Sequence, residues 1–129
     1  MGSLVGSRVE RKEDKRFLTG KGRYTADINI TNQTYAVFVR SPHARAKIKK
    51  VNFSKASKAP GVVSILTGAD IINDKIGGLI AGWKIVSEDG SDMKVPAHPP
   101  LASDTVNYVG DHVAVVIAES LDEAKAAAN

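Results

Sequence analysis

Apolar and polar positions are most regular in the middle of the chain. Tyr35-Ala36-Val37-Phe38-Val39-Arg40 is rich in β-branched and aromatic residues and reads as a strand. Ser41-Pro42 breaks it, because Pro42 has no N–H and pushes Ser41 towards an extended backbone. Alternation then resumes from Ala44. Ala44, Ala46 and Ile48 fall on one face, and Arg45, Lys47 and Lys49 on the other. Period two of this kind predicts a half-buried strand with a wet, basic side, ending near Lys50 because Val51 breaks the alternation. Ser54 is placed to cap a short helix through Ala59, which Pro60-Gly61 ends. Val62 to Thr67 is a short apolar run of the kind that forms a buried strand. Thr67-Gly68-Ala69-Asp70 closes it as a turn, and Ile71-Ile72 completes one helical turn after it.

The flanks carry weaker patterns. From Val5 to Arg16, five basic residues stand against Glu10, Glu13 and Asp14, which suits a solvated arm or a short exposed helix, with Phe17 and Leu18 as anchors. Gly20-Lys21-Gly22 is a turn. A phosphate loop needs more glycines, a buried strand before it and a helix after it, whereas Arg23-Tyr24-Thr25 reads as strand. Thr31 to Thr34 reads as a turn, so Tyr24 to Ile30 and Tyr35 to Arg40 are expected to pair as a hairpin. Glycines and prolines punctuate residues 71–104, where Trp83-Lys84-Ile85-Val86 offers a single plausible strand in an exposed, partly mobile stretch. Regularity returns at Thr105 to Val109, a short strand, followed by a turn at Gly110-Asp111. Val113 to Ala118 is continuously apolar and predicts a strand buried on both faces. Ser120 and Glu123 have the spacing of a capping box, with a helix from Leu121 that puts Leu121, Ala124 and Ala128 on one face.

Length and composition narrow the class. A chain of 129 residues with 43% hydrophobic and 25% charged residues is one globular domain with a real core. There is no cysteine, so the chain supplies no disulfide, no thiolate metal site and no iron–sulfur ligand, which suits the cytoplasm. The longest apolar run, Val113 to Ala118, is far short of the ~20 residues that a bilayer span needs, and no signal pattern opens the chain. The net charge of +4 is polarised: residues 1–34 carry +3, residues 35–69 carry +7 with no acidic residue, and residues 70–129 carry −6. Such polarity suits basic strand faces that meet acidic loops or a neighbouring subunit. The rival is a nucleic-acid face over Arg40 to Lys58, but Phe53 is the one stacking aromatic there.

No residue qualifies as catalytic, cofactor-binding or metal-ligating. His43, His98 and His112 are dispersed, and none has a carboxylate at helical ligand spacing. Ser41 and His43 share one turn and lack an orienting acid, and no strand–Ser–helix elbow occurs. Glu13-Asp14 and Glu88-Asp89 are adjacent acids in exposed runs, better read as solvated than as an acid–base pair.

Three blocks of sequence carry a family resemblance. The first is Phe38-Val39-Arg40-Ser41-Pro42-His43-Ala44-Arg45-Ala46-Lys47-Ile48, then Pro60-Gly61-Val62-Val63, then Leu66-Thr67-Gly68-Ala69-Asp70. The second runs from Arg11 through Arg16-Phe17-Leu18-Thr19-Gly20, Gly22 and Tyr24 to Asp27. The third is Leu101-Ala102 through Val109-Gly110, Val113-Ala114-Val115-Val116 and Ala118-Glu119-Ser120. In order and spacing they resemble the N-terminal domain of the molybdenum hydroxylase large subunit, the family of xanthine dehydrogenases, aldehyde oxidases and aerobic carbon monoxide dehydrogenases. The wording is most similar to the carbon monoxide dehydrogenase branch. Arg45 stands where the family often has His, and His112 where it often has a small residue or Pro.

The resemblance implies an α+β fold, an α/β-hammerhead domain with a mixed sheet and few helices. It implies one domain over residues 1–129: a lead-in arm and first strand to 34, a core over 35–70, an irregular insertion over 71–104, and strands with a short helix over 105–129. It also implies a molybdopterin (molybdenum) cofactor for the complete enzyme, with iron–sulfur clusters and FAD on partner subunits or domains. The family's glycine-rich cofactor loops and glutamate base lie downstream of this domain, so none is carried onto a residue here. The expected partners are the remaining molybdenum-binding domains of the large subunit and the flavin and iron–sulfur subunits, with no membrane and no nucleic acid. The chain stops at Asn129, about two turns into its last helix, as either an excised fragment or a naturally split subunit would. A stand-alone interaction module is the remaining alternative.

Overall fold

The computed structural model describes residues 5–6, 8–80, 82–83 and 85–129. The chain divides into two compact units, Met1–Gln33 and Thr34–Asn129.

In the first unit, the charged run ends in a short helix, α1 (Asp14–Leu18). Asp14 lies in its first turn and Lys15 and Arg16 in its last, which suits the helix dipole. Arg11 Nε sits 3.1 Å from Asp14 Oδ1, and the Thr19 hydroxyl donates to the Lys15 carbonyl at the other end, 2.7 Å away. Phe17 stacks on Tyr24 with ring centroids 5.6 Å apart. The strand expected at Arg23-Tyr24-Thr25 does not form. The Asp27 carboxylate accepts from the Tyr24 N–H at 2.9 Å and winds Thr25–Asp27 into a 3-10 turn. The turn expected at Thr31 to Thr34 is present: Asn32 has φ +61°, and Gln33 Oε1 accepts from the Ile30 N–H at 3.1 Å.

The second unit is built on a three-stranded antiparallel sheet in the order β1 (Tyr35–Arg40), β5 (His112–Ala118), β3 (Val62–Thr67). β5 is the middle strand, and its continuous apolar run fits burial on both faces. Residues paired across an antiparallel ladder share a face. Val37 and Ile65 therefore lie with Val116, and Val39 with Ala114. A helix, α3 (Leu121–Ala128), packs against the sheet, burying Ala118 and Ala124 completely. Small side chains here let helix and sheet approach closely. Val115 and Leu66 join Ile71 of α2 (Gly68–Asn73) and Leu101 in a second apolar cluster. The hairpin expected for β1 is absent. No strand forms over Tyr24 to Ile30, and β1 pairs with β5 instead.

Other expectations change in extent. The alternating run Ala44 to Lys50 is strand only at β2 (Ala46–Lys47), which pairs with β4 (Thr105–Val106). The ladder is as long as the shorter partner permits, and one further bond, from the Ile48 N–H to the Asp104 carbonyl, extends it. Ser54 does not cap a helix. Asn52 Oδ1 takes its N–H and hydroxyl, at 3.2 and 2.9 Å, and the helical segment is a 3-10 turn, Ala56–Lys58. Thr67 to Asp70 begins α2 rather than closing a turn: the Asp70 carboxylate accepts from the Thr67 N–H and hydroxyl, each at 2.7 Å. In Trp83 to Val86, Lys84 lies outside the described residues, and Val86 forms only an isolated bridge to Asp92. The capping serine before α3 is as expected, with Ser120 Oγ accepting from the Glu123 N–H at 3.2 Å.

Two glycines fix close approaches. Gly61 has φ +71°, and a Cβ there would come 2.5 Å from Glu123 Oε1. Gly68 has ordinary backbone angles, but its Cβ would come 2.5 Å from the Ser103 Cα and closer still to the Ala102 carbonyl oxygen.

Candidate functional site

A polar cluster of the second unit gathers where β1 ends and β5 begins. Ser41 follows the last residue of β1, and its N–H donates to the Asp111 carbonyl at 2.8 Å. The Gly110 N–H returns a bond to the Ser41 carbonyl, also at 2.8 Å, and Arg40 Nη1 donates to the Gly110 carbonyl at 3.2 Å. Proline after Ser41 removes one backbone donor, so the chain turns away here with its remaining groups paired. Asp111 is buried, and its carboxylate accepts from the Asn107 N–H at 2.9 Å.

Tyr108 stands beside this corner. Burial pushes its phenol above the usual value of 10.0, the Asp111 carboxylate adds to that, and the Arg40 guanidinium partly offsets it. The phenol therefore stays neutral at physiological pH. Its oxygen lies 3.3 Å from His98 Nε2, and the two rings meet edge to face with centroids 6.1 Å apart. Tyr108, His98 and Asp111 form the polar side of an open cleft of about 540 Å³, whose apolar side is Leu79, Ile80, Val95 and Pro96. No pattern of spacing in the sequence links His98 to Tyr108. The fold joins them by placing His98 beside Tyr108, and the Leu79 N–H donates to the His98 carbonyl at 2.7 Å.

The groups that the sequence singled out are dispersed. Ser41 is buried, and its hydroxyl both donates to the His43 carbonyl and accepts from the His43 N–H, at 3.0 Å each, so it serves the turn. His112 stacks on Phe38 with centroids 4.4 Å apart. Asp89 accepts from the Ser91 N–H and hydroxyl, which hold its carboxyl below the usual range. Among the described residues, no group of three or more His, Cys, Asp or Glu is gathered to hold a metal ion. The chain also has no thiolate for an iron–sulfur cluster. Among the described residues, no helix is long and apolar enough to cross a membrane.

Relatives place this geometry. The family described as aldehyde oxidase and xanthine dehydrogenase, a/b hammerhead domain, matches residues 19–129. The nicotine 6-hydroxylase large subunit of Paenarthrobacter nicotinovorans is 43% identical over 118 residues, 92% of this chain and 14% of that subunit. The crystal structure of quinoline 2-oxidoreductase from Pseudomonas putida 86 superposes with a TM-score of 0.81 at 35% identity, over 95% of this chain and 15% of that one. The Cu,Mo-CO dehydrogenase gives a TM-score of 0.73 at 32% identity, over 95% of this chain and 14% of that one. The chain therefore spans about a seventh of the length of these relatives. In fold and in sequence, it belongs to the a/b hammerhead domain family of aldehyde oxidases and xanthine dehydrogenases.

Proposed function

We propose that the chain is the structural hammerhead domain of a molybdenum-dependent, carbon monoxide dehydrogenase-like large subunit. Its task is to scaffold the cofactor-binding domains, in the cytoplasm, with flavin and iron–sulfur polypeptides as further partners. One observation carries this reading. The buried polar side chains among the described residues, Ser41, Thr67 and Asp111, are each engaged in holding a turn or a helix start. None of them is a buried polar group without a hydrogen-bond partner. Molybdopterin, the iron–sulfur clusters and FAD belong, in this reading, to polypeptide outside these 129 residues. The relatives are named for nicotine, quinoline and carbon monoxide, so the domain is shared across substrates and does not choose among them.

The test is a dye-reduction assay on the purified chain with molybdenum measured in parallel. The expected result is neither activity nor metal, together with co-purification of the chain with the remaining large-subunit domains when both are expressed. Dye reduction accompanied by bound molybdenum refutes the proposal.

A further inference from the structure

We infer that the basic strip from Arg45 to Lys58, with the groove around Phe53, is a docking surface for an acidic, apolar-anchored segment of a partner polypeptide. This deepens the scaffold reading above and rests on it. Six cations, Arg45, Lys47, Lys49, Lys50, Lys55 and Lys58, are exposed on this strip. Residues 35–69 contain no acidic side chain, and among the described residues the one ion pair, Arg11 with Asp14, belongs to the other unit. Among the described residues, none of these cations is held in an ion pair. Six cations within fourteen residues, with no acidic residue among them, give this stretch a positive field that attracts an anionic partner.

The strip also has an apolar floor. Phe53 is 42% exposed and lines two adjoining hollows. One, of about 440 Å³, is floored by Val39, Ile65 and Val116 of the sheet, with Lys55 on its rim. The other, of about 270 Å³, lies along Ile48 and Lys49. A half-exposed aromatic between two hollows, with Lys49, Lys50 and Lys55 among their lining, is the form of an anchor site whose partner brings both apolar side chains and carboxylates. Nucleic acid fits less well. A strand of bases needs a series of stacking rings, and Phe53 is the single aromatic residue between Arg40 and Lys58.

The probe is a short fluorescein-labelled peptide of alternating glutamates and leucines. Its controls are the same peptide with leucine replaced by serine, and an oligothymidylate of similar length. Anisotropy at about 50 and 200 mM salt reads the binding. The leucine peptide should saturate, weaken at the higher salt, and lose about tenfold in affinity in Phe53→Ala. The serine peptide should bind more weakly and ignore that change. Lys49→Glu with Lys55→Glu should abolish binding of the leucine peptide, and serves as the reading if Phe53→Ala fails to fold. No saturable binding, equal binding of the two peptides, or tighter binding of oligothymidylate overturns the inference. Co-purification with the other large-subunit domains separates this idea from the scaffold reading. If the wild-type chain forms no complex, the scaffold reading fails. If wild type and charge-reversed chain enter the complex equally, the scaffold reading stands and the docking surface falls.

Discussion

Replacing Gly68 by alanine tests how the second unit closes. A Cβ at residue 68 would come 2.5 Å from the Ser103 Cα, where ordinary carbon contacts are about 3.5–4 Å. The two segments must therefore separate by roughly 1 Å. Neither is free to do so. The Ala102 N–H donates to the His112 carbonyl at 2.7 Å, and Leu101 beside it is 3% exposed. On the other side, Thr67 and Asp70 lock the start of α2. Overpacking of this kind costs about 1–3 kcal/mol. Alanine in a helix returns up to about 1 kcal/mol, so the net expectation is a loss of about 1–2 kcal/mol. At about 4–8 °C per kcal/mol for a domain of this size, Tm should fall by about 5–15 °C. Far-UV circular dichroism during thermal and urea unfolding reads this directly. Gly77→Ala is the control, because nothing lies within 4 Å of a Cβ there, and its stability should stay within about 0.5 kcal/mol of wild type. If Gly68→Ala unfolds at or above the wild-type temperature, the close approach does not constrain the fold and the reasoning fails.

Further outcomes follow from the same coordinates. Val116 is 2% exposed in the middle strand, so Val116→Ala should cost about 2–3 kcal/mol in urea unfolding. Ser120→Ala removes the cap of α3 and should cost about 1 kcal/mol by the same measurement. The Asp70 carboxyl is held below its usual 3.8 by the Thr67 hydroxyl and N–H. A carboxyl lowered on folding stabilises the native state above its unfolded value, and that support fades as pH drops through the lower folded value. Acid unfolding curves below about pH 4 should therefore be flatter in Asp70→Asn. The Tyr108 phenol should titrate with a midpoint above the usual 10.0, as read by the ultraviolet difference from Tyr108→Phe. Asp111→Asn should move that titration down, because it removes a charge opposed to phenolate.

The elements legible in the sequence are those whose residues meet their surroundings within a short window. β5 announced itself by an unbroken apolar run, and α3 by serine and glutamate three apart. β1 was legible as a strand but not its partner, because pairing with β5 joins residues about eighty positions apart and no local pattern encodes that. The Ala44 to Lys50 run alternated correctly, yet a strand is only as long as its neighbour, and β4 has two residues. Thr67 and Asp70 carried a helix-start spacing that the glycine between them disguised as a turn. The Tyr108, His98 and Asp111 corner had no signal at all, since its members belong to a loop, a turn and a strand approach that only the folded chain brings together.

The strand that closes the sheet is also the last to be made. β1 and β3 flank β5 and share no ladder with each other, so both wait for residues 112–118 before either gains a partner. During synthesis, residues 1–111 must leave the ribosome with both of these strands unpaired before the sheet can close. Closing loops of that length makes the folding transition a non-local one, slow for a domain of this size. Substitutions in β5 should therefore change the folding rate as well as the equilibrium, whereas α3, capped locally, adds its support as the middle strand arrives.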